Sequence, residues 1–328
     1  MFRETKVLVT GGTGSWGHEL IKQLLPQNPR EVVIFSRNES TQVAMEREFE
    51  DNRLTFCIGD IRDREALRRA CKGVDYVFHL AALKHVPVCE EQPYEALKTN
   101  VVGTQNVIEA AMENNVKKVM YISTDKAADP SNFYGMTKAI GEKLIVHANL
   151  LPSNTAFVCI RGGNVLGTNG SVVHLFMNQL REKGSISITH PQMTRFFMTI
   201  EEAIHLLFKL SQDSQGGEIF VMIMPSCKIM DLADVLAEEM GIPDYNVIET
   251  GIRPGEKMDE LLLTEFESKS TLVYDEQYLC ILPTLDFPHL KKHYQGYPDA
   301  NITSYKSDQT LMAKKQIKEM LMKGGFLS

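Results

Sequence analysis

A chain of 328 residues with 43% hydrophobic content can bury a full core, as one large domain with a smaller satellite or as two lobes. Its net charge of −7, with lysine and arginine scattered, excludes a nucleic-acid-coating protein, so an anionic ligand must be met by local groups such as helix N-termini and single arginines. The six cysteines form no CxxC pair and read as reduced core thiols, no Cys/His spacing suits a metal, and neither a signal peptide nor an apolar run of the ~20 residues a membrane span requires is present, so a cytoplasmic protein without membrane partners is expected.

In chain order, short apolar strands are expected at 6–10, 31–35, 54–58, 76–80, 118–122 and 156–160. Helical patterns lie at 18–25, 64–71, 94–114 and 133–148. Nearly continuous apolar strands alternating with helices predict a parallel sheet covered on both faces, the doubly wound Rossmann-like α/β fold. The rhythm breaks after Arg161: 162–167 reads as a loop, 172–183, 200–211 and 230–239 as helices, 218–221 as a strand, and the tail carries one helix near 311–322. A dinucleotide-binding domain is therefore placed at 1–163, with a smaller substrate lobe and tail at 164–328, some of whose segments return to the first domain.

Thr10-Gly11-Gly12-Thr13-Gly14-Ser15-Trp16-Gly17 follows the first strand and opens a helix. Gly11 permits a tight turn, Gly14 lets the backbone approach a pyrophosphate, and Gly17 allows close helix packing; Thr13, Ser15 and Trp16 complete the binding turn. The second strand ends Phe35-Ser36-Arg37-Asn38, without the acidic residue that usually meets the ribose hydroxyls of NAD. Ser36 and Arg37 suit a 2′-phosphate, which favours NADP over NAD; the alternative is that Arg37 is a solvated surface arginine. Asp60, followed by Ile61, either accepts from the adenine amino group or caps the helix near Arg64.

Tyr134 and Lys138 lie four apart, on one face of a helix. There a lysine can bind the nicotinamide ribose and lower the tyrosine pKa, so that the phenolate takes a proton from a substrate hydroxyl. The preceding strand ends Ser123-Thr124-Asp125-Lys126, polar groups that are unfavourable at a buried strand end without partners or a task. They are either turn and cap chemistry or, beside the Tyr/Lys pair, acid–base groups.

With these motifs the chain resembles the extended short-chain dehydrogenase/reductases, and among them the UDP-N-acetylglucosamine 4,6-dehydratases. The likeness runs from Lys6 to about Glu260 and is carried, in order, by the glycine turn, Ala81-Ala82-Leu83-Lys84-His85-Val86-Pro87, Ser123-Thr124-Asp125-Lys126-Ala127, Met193-Thr194-Arg195-Phe196, Gly217-Glu218-Ile219-Phe220-Val221 and Gly251-Ile252-Arg253-Pro254-Gly255-Glu256-Lys257. The resemblance implies a tightly held NADP regenerated at each turnover, with Ala81 beside it, and a UDP-4-keto-6-deoxy sugar as product. Tyr134 would deprotonate the C4 hydroxyl, hydrogen-bonded by Thr124, while hydride moves from C4 to NADP. Lys126, as a neutral amine of lowered pKa, would take the C5 proton; Asp125, protonated, would release the C6 hydroxyl as water before hydride returns to C6.

The resemblance also implies that Lys84, His85 and Asn164 line the substrate crevice, that Arg195 and Arg253 meet the phosphates, and that Glu256 meets the uridine ribose. A single base at C5 favours a retained configuration over an inverted one. A UDP-sugar 4-epimerase would use Tyr134 and Lys138 but has no need of Asp125 and Lys126, and a non-catalytic NADP-binding protein has no need of any of them. Helices 94–114 and 133–148 are expected to form a homo-oligomer surface, in a dimer or hexamer.

Overall fold

Val7, Leu8, Val9, Val32 and Ile34 are all fully buried, as strands with helices on both faces require. The computed structural model describes residues 1–168 and 171–327. Lys6–Thr10 (β1) leads into Ser15–Leu24 (α1), Glu31–Ser36 (β2), Glu39–Phe49 (α2), Leu54–Ile58 (β3), Arg64–Ala70 (α3) and Tyr76–His79 (β4). Val86–Glu91 (α4), Pro93–Leu97 (α5) and Gly103–Glu113 (α6) follow, then Lys118–Thr124 (β5), Phe133–Ala148 (α7) and Ala156–Gly162 (β6). The second half contains Asn164–Val165 (β7), Val172–Lys183 (α8), Ser185–Ile188 (β8), Thr194–Met198 (β9), Ile200–Asp213 (α9), Ile219–Met222 (β10), Ser226–Lys228 (β11), Ile229–Glu239 (α10), Asn246–Glu249 (β12) and Leu261–Leu263 (β13). Glu265–Ser268 (α11), Thr271–Val273 (β14), Tyr278–Ile281 (β15), Pro288–His293 (α12), Tyr305–Lys306 (β16) and Lys314–Lys323 (α13) complete the chain.

One nine-stranded sheet runs in the order β3-β2-β1-β4-β5-β6-β10-β15-β14. Its first seven strands are parallel, and β15 and β14 each join antiparallel. The strand order reverses between β1 and β4, so the crevice outside their C-terminal ends is where this doubly wound fold takes a ligand. A second core gathers Val173, Phe176, Leu180, Phe197, Leu232 and Leu236 with Ile317 and Leu321 of α13. Residues 219–222 and 271–281 return to the central sheet, so the second lobe is not one continuous stretch of chain.

Three local readings change. The expected loop 162–167 contains the end of β6 and all of β7, whose partner is the distant β9 through Asn164↔Phe197. The expected helix 94–114 is divided by a π-helical turn at Lys98–Val102. There Asn100 turns inward, accepting from the Leu83 backbone N–H at 2.8 Å and donating to the Leu83 carbonyl and to Thr137 Oγ1 at 2.9 and 3.0 Å. Helix α2, unexpected from the sequence, buries only Gln42 and Met45 and so carries no apolar stripe; Asn38 caps it by accepting from Thr41 N–H. No helix among the described residues is long and apolar enough to cross a membrane.

Candidate active site

A cavity of about 730 Å³ opens at the C-terminal ends of the parallel strands. The β1–α1 turn contributes Gly11, Thr13, Gly14, Ser15 and Trp16; the ends of β2 and β3 contribute Ser36, Arg37, Asp60 and Ile61. After β4 come Ala81, Lys84 and His85, at the end of β5 Thr124 and just past it Lys126, from α7 Tyr134 and Lys138, and from β7 Asn164. The structure thus brings together residues spread over most of the first half of the chain. Gly17 is buried beneath the turn, and Asp125 is buried behind Thr124 and Lys126.

The turn fits a dinucleotide diphosphate. Gly11 adopts φ +69°, and a Cβ there would lie 2.8 Å from the Ala81 backbone nitrogen, so only glycine allows β1 and β4 to release their loops side by side. Helix α1 has no side-chain cap and no acidic residue in its first turn, which leaves its positive end to an anion. Arg37 lies beyond β2 with its side chain 56% exposed and one guanidinium nitrogen 4.0 Å from Asp60. Asp60 does not cap α3; Asp63 does, by accepting from Ala66 N–H at 3.0 Å. Asp60 instead accepts from the Arg62 backbone N–H and guanidinium at 2.9 and 2.6 Å. Ser123 Oγ and Thr99 Oγ1, both of cavity-lining residues, are buried without a hydrogen-bond partner among the described residues.

Helix α7 is placed by its cap. Asn132 accepts from Gly135 N–H at 2.8 Å and donates to the Gly255 carbonyl at 2.9 Å, tying the start of the helix to the 251–257 segment. A Cβ on Gly135 would lie 2.2 Å from the Lys126 carbonyl oxygen, so glycine at this position is what lets Tyr134 approach the end of β5. Thr124 hydrogen-bonds Tyr134, and burial pushes the phenol up to about 12 against the opposing pull of Lys126. Lys138 is drawn down to about 7 by burial; its Nζ lies 3.8 Å from the centre of the Tyr121 ring and donates to the Ile122 carbonyl at 2.5 Å. The expected lowering of Tyr134 by Lys138 is therefore not found, because burial disfavours the charged form of both groups.

Beside Tyr134 lies a chain of buried charge. Thr124 Oγ1 donates to Asp125 Oδ1 at 2.8 Å, and Lys126 Nζ donates to the same oxygen at 3.0 Å. Glu260, 3% exposed, places Oε1 3.0 Å from Lys126 Nζ and 3.5 Å from Arg195 Nε. Burial alone would lower Lys126, but the charges of Asp125 and Glu260 outweigh it and hold the ammonium above the ordinary lysine range. This corrects the expectation of a depressed lysine. Burial and the Glu260 charge raise Asp125 against the pull of Lys126, in the direction that a proton donor requires. The other carboxylate oxygen, Asp125 Oδ2, has no hydrogen-bond partner among the described residues.

Arg195, Arg253 and Glu256 lie outside the cavity lining. Arg195 is buried and donates to the Thr194, Met258 and Lys257 carbonyls at 2.6, 3.0 and 3.0 Å, so its guanidinium faces inward onto the backbone. Glu256 accepts from Thr189 Oγ1 at 3.3 Å and lies 3.6 Å from Arg195, while the exposed Arg253 donates its backbone N–H to Glu256 at 3.3 Å. Glu260 and Asn100 were not expected from the sequence. The only local trace of Glu260 is an acid directly before the apolar run Leu261-Leu262-Leu263. No group of histidine, cysteine or carboxylate side chains among the described residues could hold a metal.

Residues 7–281 match a family described as polysaccharide biosynthesis protein. The chain belongs to that family, within the extended short-chain dehydrogenase/reductases. The chain is 42% identical to the UDP-N-acetylglucosamine 4,6-dehydratase (inverting) of Campylobacter jejuni subsp. jejuni serotype O:2, over 88% of this chain and 85% of that one. It is 36% identical to the UDP-glucose 4-epimerase of Rickettsia canadensis, over 98% and 96% of the two chains. Among solved structures it matches Pen from Bacillus thuringiensis at 38% identity and a TM-score of 0.93, covering all of both chains. The family works through a nicotinamide dinucleotide, which the glycine turn and the open end of α1 fit. The expectation of a retained C5 centre is not supported, since the Campylobacter relative is named as inverting.

Proposed function

We propose that this chain is a UDP-N-acetylglucosamine 4,6-dehydratase, a hydro-lyase that holds NADP and inverts C5. The observation that carries the reading is the Asp125–Lys126 contact of 3.0 Å beside Tyr134 and Thr124. An epimerase works at C4 alone, for which Tyr134 and Thr124 suffice; a second acid–base pair serves a reaction that also breaks bonds at C5 and C6. Arg37 and the missing acid after β2 support NADP. Lys84, His85 and Asn164 would face the sugar nucleotide from the cavity wall, and the exposed Arg253 is left as a phosphate contact.

When bound, the nicotinamide supplies the redox chemistry, oxidising C4 and later reducing C6. Tyr134 and Thr124 handle the proton of the C4 oxygen. The resulting ketone acidifies C5. Lys126 passes one proton to Asp125 across their hydrogen bond, and this single transfer creates the free amine and the protonated carboxyl together, with no change in net charge. Rotation about the Cε–Nζ bond turns the lone pair from Asp125 to C5, the amine takes the C5 proton, and the C5–H electron pair becomes the C5–C6 double bond. The C6–O bond breaks with its pair, the hydroxyl takes the Asp125 proton, and water leaves. Lys126 is then ammonium and Asp125 carboxylate, as they began; once C6 is reduced, C5 regains a proton on the face opposite Lys126, and Tyr134, which holds the C4 hydroxyl proton, would supply it. Self-association through α5, α6 and α7 belongs to the same reading, since Tyr94, Met136 and Ile140 are exposed there.

The test is incubation of the purified chain with UDP-N-acetylglucosamine and no added cofactor. A product lighter by one water supports dehydration, and an isomer of unchanged mass overturns it. The dinucleotide released on denaturation identifies the cofactor, with NADP expected. The H5 configuration and label after reaction in D2O decide the stereochemistry, with the L-arabino product expected.

A further inference from the structure

Glu260 lies 134 positions after Lys126 in the chain, yet its carboxylate is one of only two that touch the lysine among the described residues. Its own placement is over-determined. The Glu260 backbone N–H donates to Ser307 Oγ at 2.9 Å, and Ser307 returns its N–H to the Glu260 carbonyl at 3.0 Å. Ser307 Oγ also shares a 2.6 Å hydrogen bond with Thr194 Oγ1, next to Arg195. Arg195, held by three backbone carbonyls, stands behind the carboxylate at 3.5 Å. The 307 segment and β9 therefore brace one buried acid against the end of β5.

We propose that Glu260 is a positioning residue for the proposed base: it holds the Lys126 Nζ between two carboxylates, beside Asp125 for the proton transfer and open to the cavity on its third side, toward which the lone pair turns by rotation about the Cε–Nζ bond. The inference rests on the dehydratase reading above. A lysine on its own would swing on a four-carbon stem with three rotatable donors. Two acceptors on different elements remove that freedom, which is the pre-organisation a proton transfer at carbon requires. Glu260 also sets the charge around the acid–base pair. The charged and titratable groups facing the trio are Arg195 from β9, Lys257 from the segment before β13, and Tyr134 from α7. With Arg195 and Lys257 bearing on Glu260, the acid stays ionised, and its negative charge favours the protonated forms of both Lys126 and Asp125.

The experiment compares wild type, Glu260→Gln and Glu260→Asp over a range of pH, with folding checked by thermal unfolding. Glu260→Gln is expected to lower kcat at neutral pH by about tenfold or more, with a smaller change in KM for the sugar nucleotide. Because a neutral amide no longer favours the protonated pair, both limbs of the kcat profile move to lower pH. Glu260→Asp keeps the charge at a shorter reach and is expected to restore the limb positions while kcat stays below wild type. A Glu260→Gln enzyme with the wild-type kcat and profile overturns the proposal. If that variant fails to fold, Glu260→Asp decides instead: a kcat equal to wild type overturns it, and a lowered kcat with unmoved limbs supports it. The mass of the wild-type product tests the dehydratase reading separately, so an isomer there is distinguishable from a failure of Glu260.

Discussion

Two cations in this molecule each stand between two carboxylates at the end of a parallel strand, and they are built for opposite ends. Arg161, near the end of β6, is 1% exposed and bonds Glu142 at 3.0 and 2.6 Å, Glu267 at 3.1 and 3.0 Å, and the Leu262 carbonyl at 2.9 Å. Its five donor hydrogens match five acceptor contacts, and a guanidinium does not give up a proton in a protein. Lys126, just past β5, touches each of its two carboxylates once, keeps a fifth of its side chain exposed toward the cavity, and leaves Asp125 Oδ2 without a partner among the described residues. A saturated cluster that cannot exchange protons joins β6 and α7 to the β13–α11 segment. An unsaturated cluster that can exchange them is the one proposed to serve chemistry. The same arrangement of charges is turned to structure or to reaction by donor count, proton affinity and access.

The largest expected effect tests the reactive side of this contrast. Lys126→Ala is expected to lose dehydration by roughly 10²- to 10⁴-fold, the range for a positioned acid–base group, while still binding its dinucleotide. Full turnover by that variant, measured as water loss from the sugar nucleotide, would remove the base assignment. On the structural side, Arg161→Met is expected to lower stability by about 3–5 kcal/mol, because it strands Glu142 beside a buried apolar group. Urea unfolding measures this, and the molecules that remain folded are expected to keep their catalysis; a loss of turnover without a loss of stability would show that the two clusters do not divide the work.

A smaller effect concerns Lys138, the third buried cation of the region. Held at about 7 by burial, it is deprotonated in the folded chain between about pH 7 and its ordinary value of 10.5, while the unfolded chain keeps the proton. The unfolded state then binds more protons, so this group's contribution makes stability rise with pH across that window, by up to about 1.4 kcal/mol per pH unit, and it flattens below pH 7. Lys138→Met should lack that slope in unfolding measured from pH 7 to 10. An unchanged slope would show that Lys138 does not titrate in this way.

How much of this was legible in the sequence depends on the range over which each feature is encoded. Helix α7 spans the expected residues 133–148, because its Asn132 cap and its periodicity are local signals. The glycine turn and the polar end of β5 were also legible, since close backbone approach restricts a site to glycine and polar groups at a strand end need a reason. Helix α2 was not legible because it buries one polar and one apolar side chain, and β7 was not because its pairing partner lies 33 residues ahead in the chain.

The doubly wound fold, the nucleotide turn, and the neighbours Thr124, Asp125, Lys126, Tyr134 and Lys138 are written in the order of residues along the chain. These follow from spacing, since strand alternation and the helical repeat place residues near one another in the chain on the same edge or face. That Arg195 faces inward, that Asp63 rather than Asp60 caps α3, and that Glu260 completes the environment of Lys126 emerges in the folded molecule. A buried charge acquires its partner from whatever segment packs against it, and its proton affinity from the balance of burial against that partner. Neither quantity exists until the chain has closed on itself.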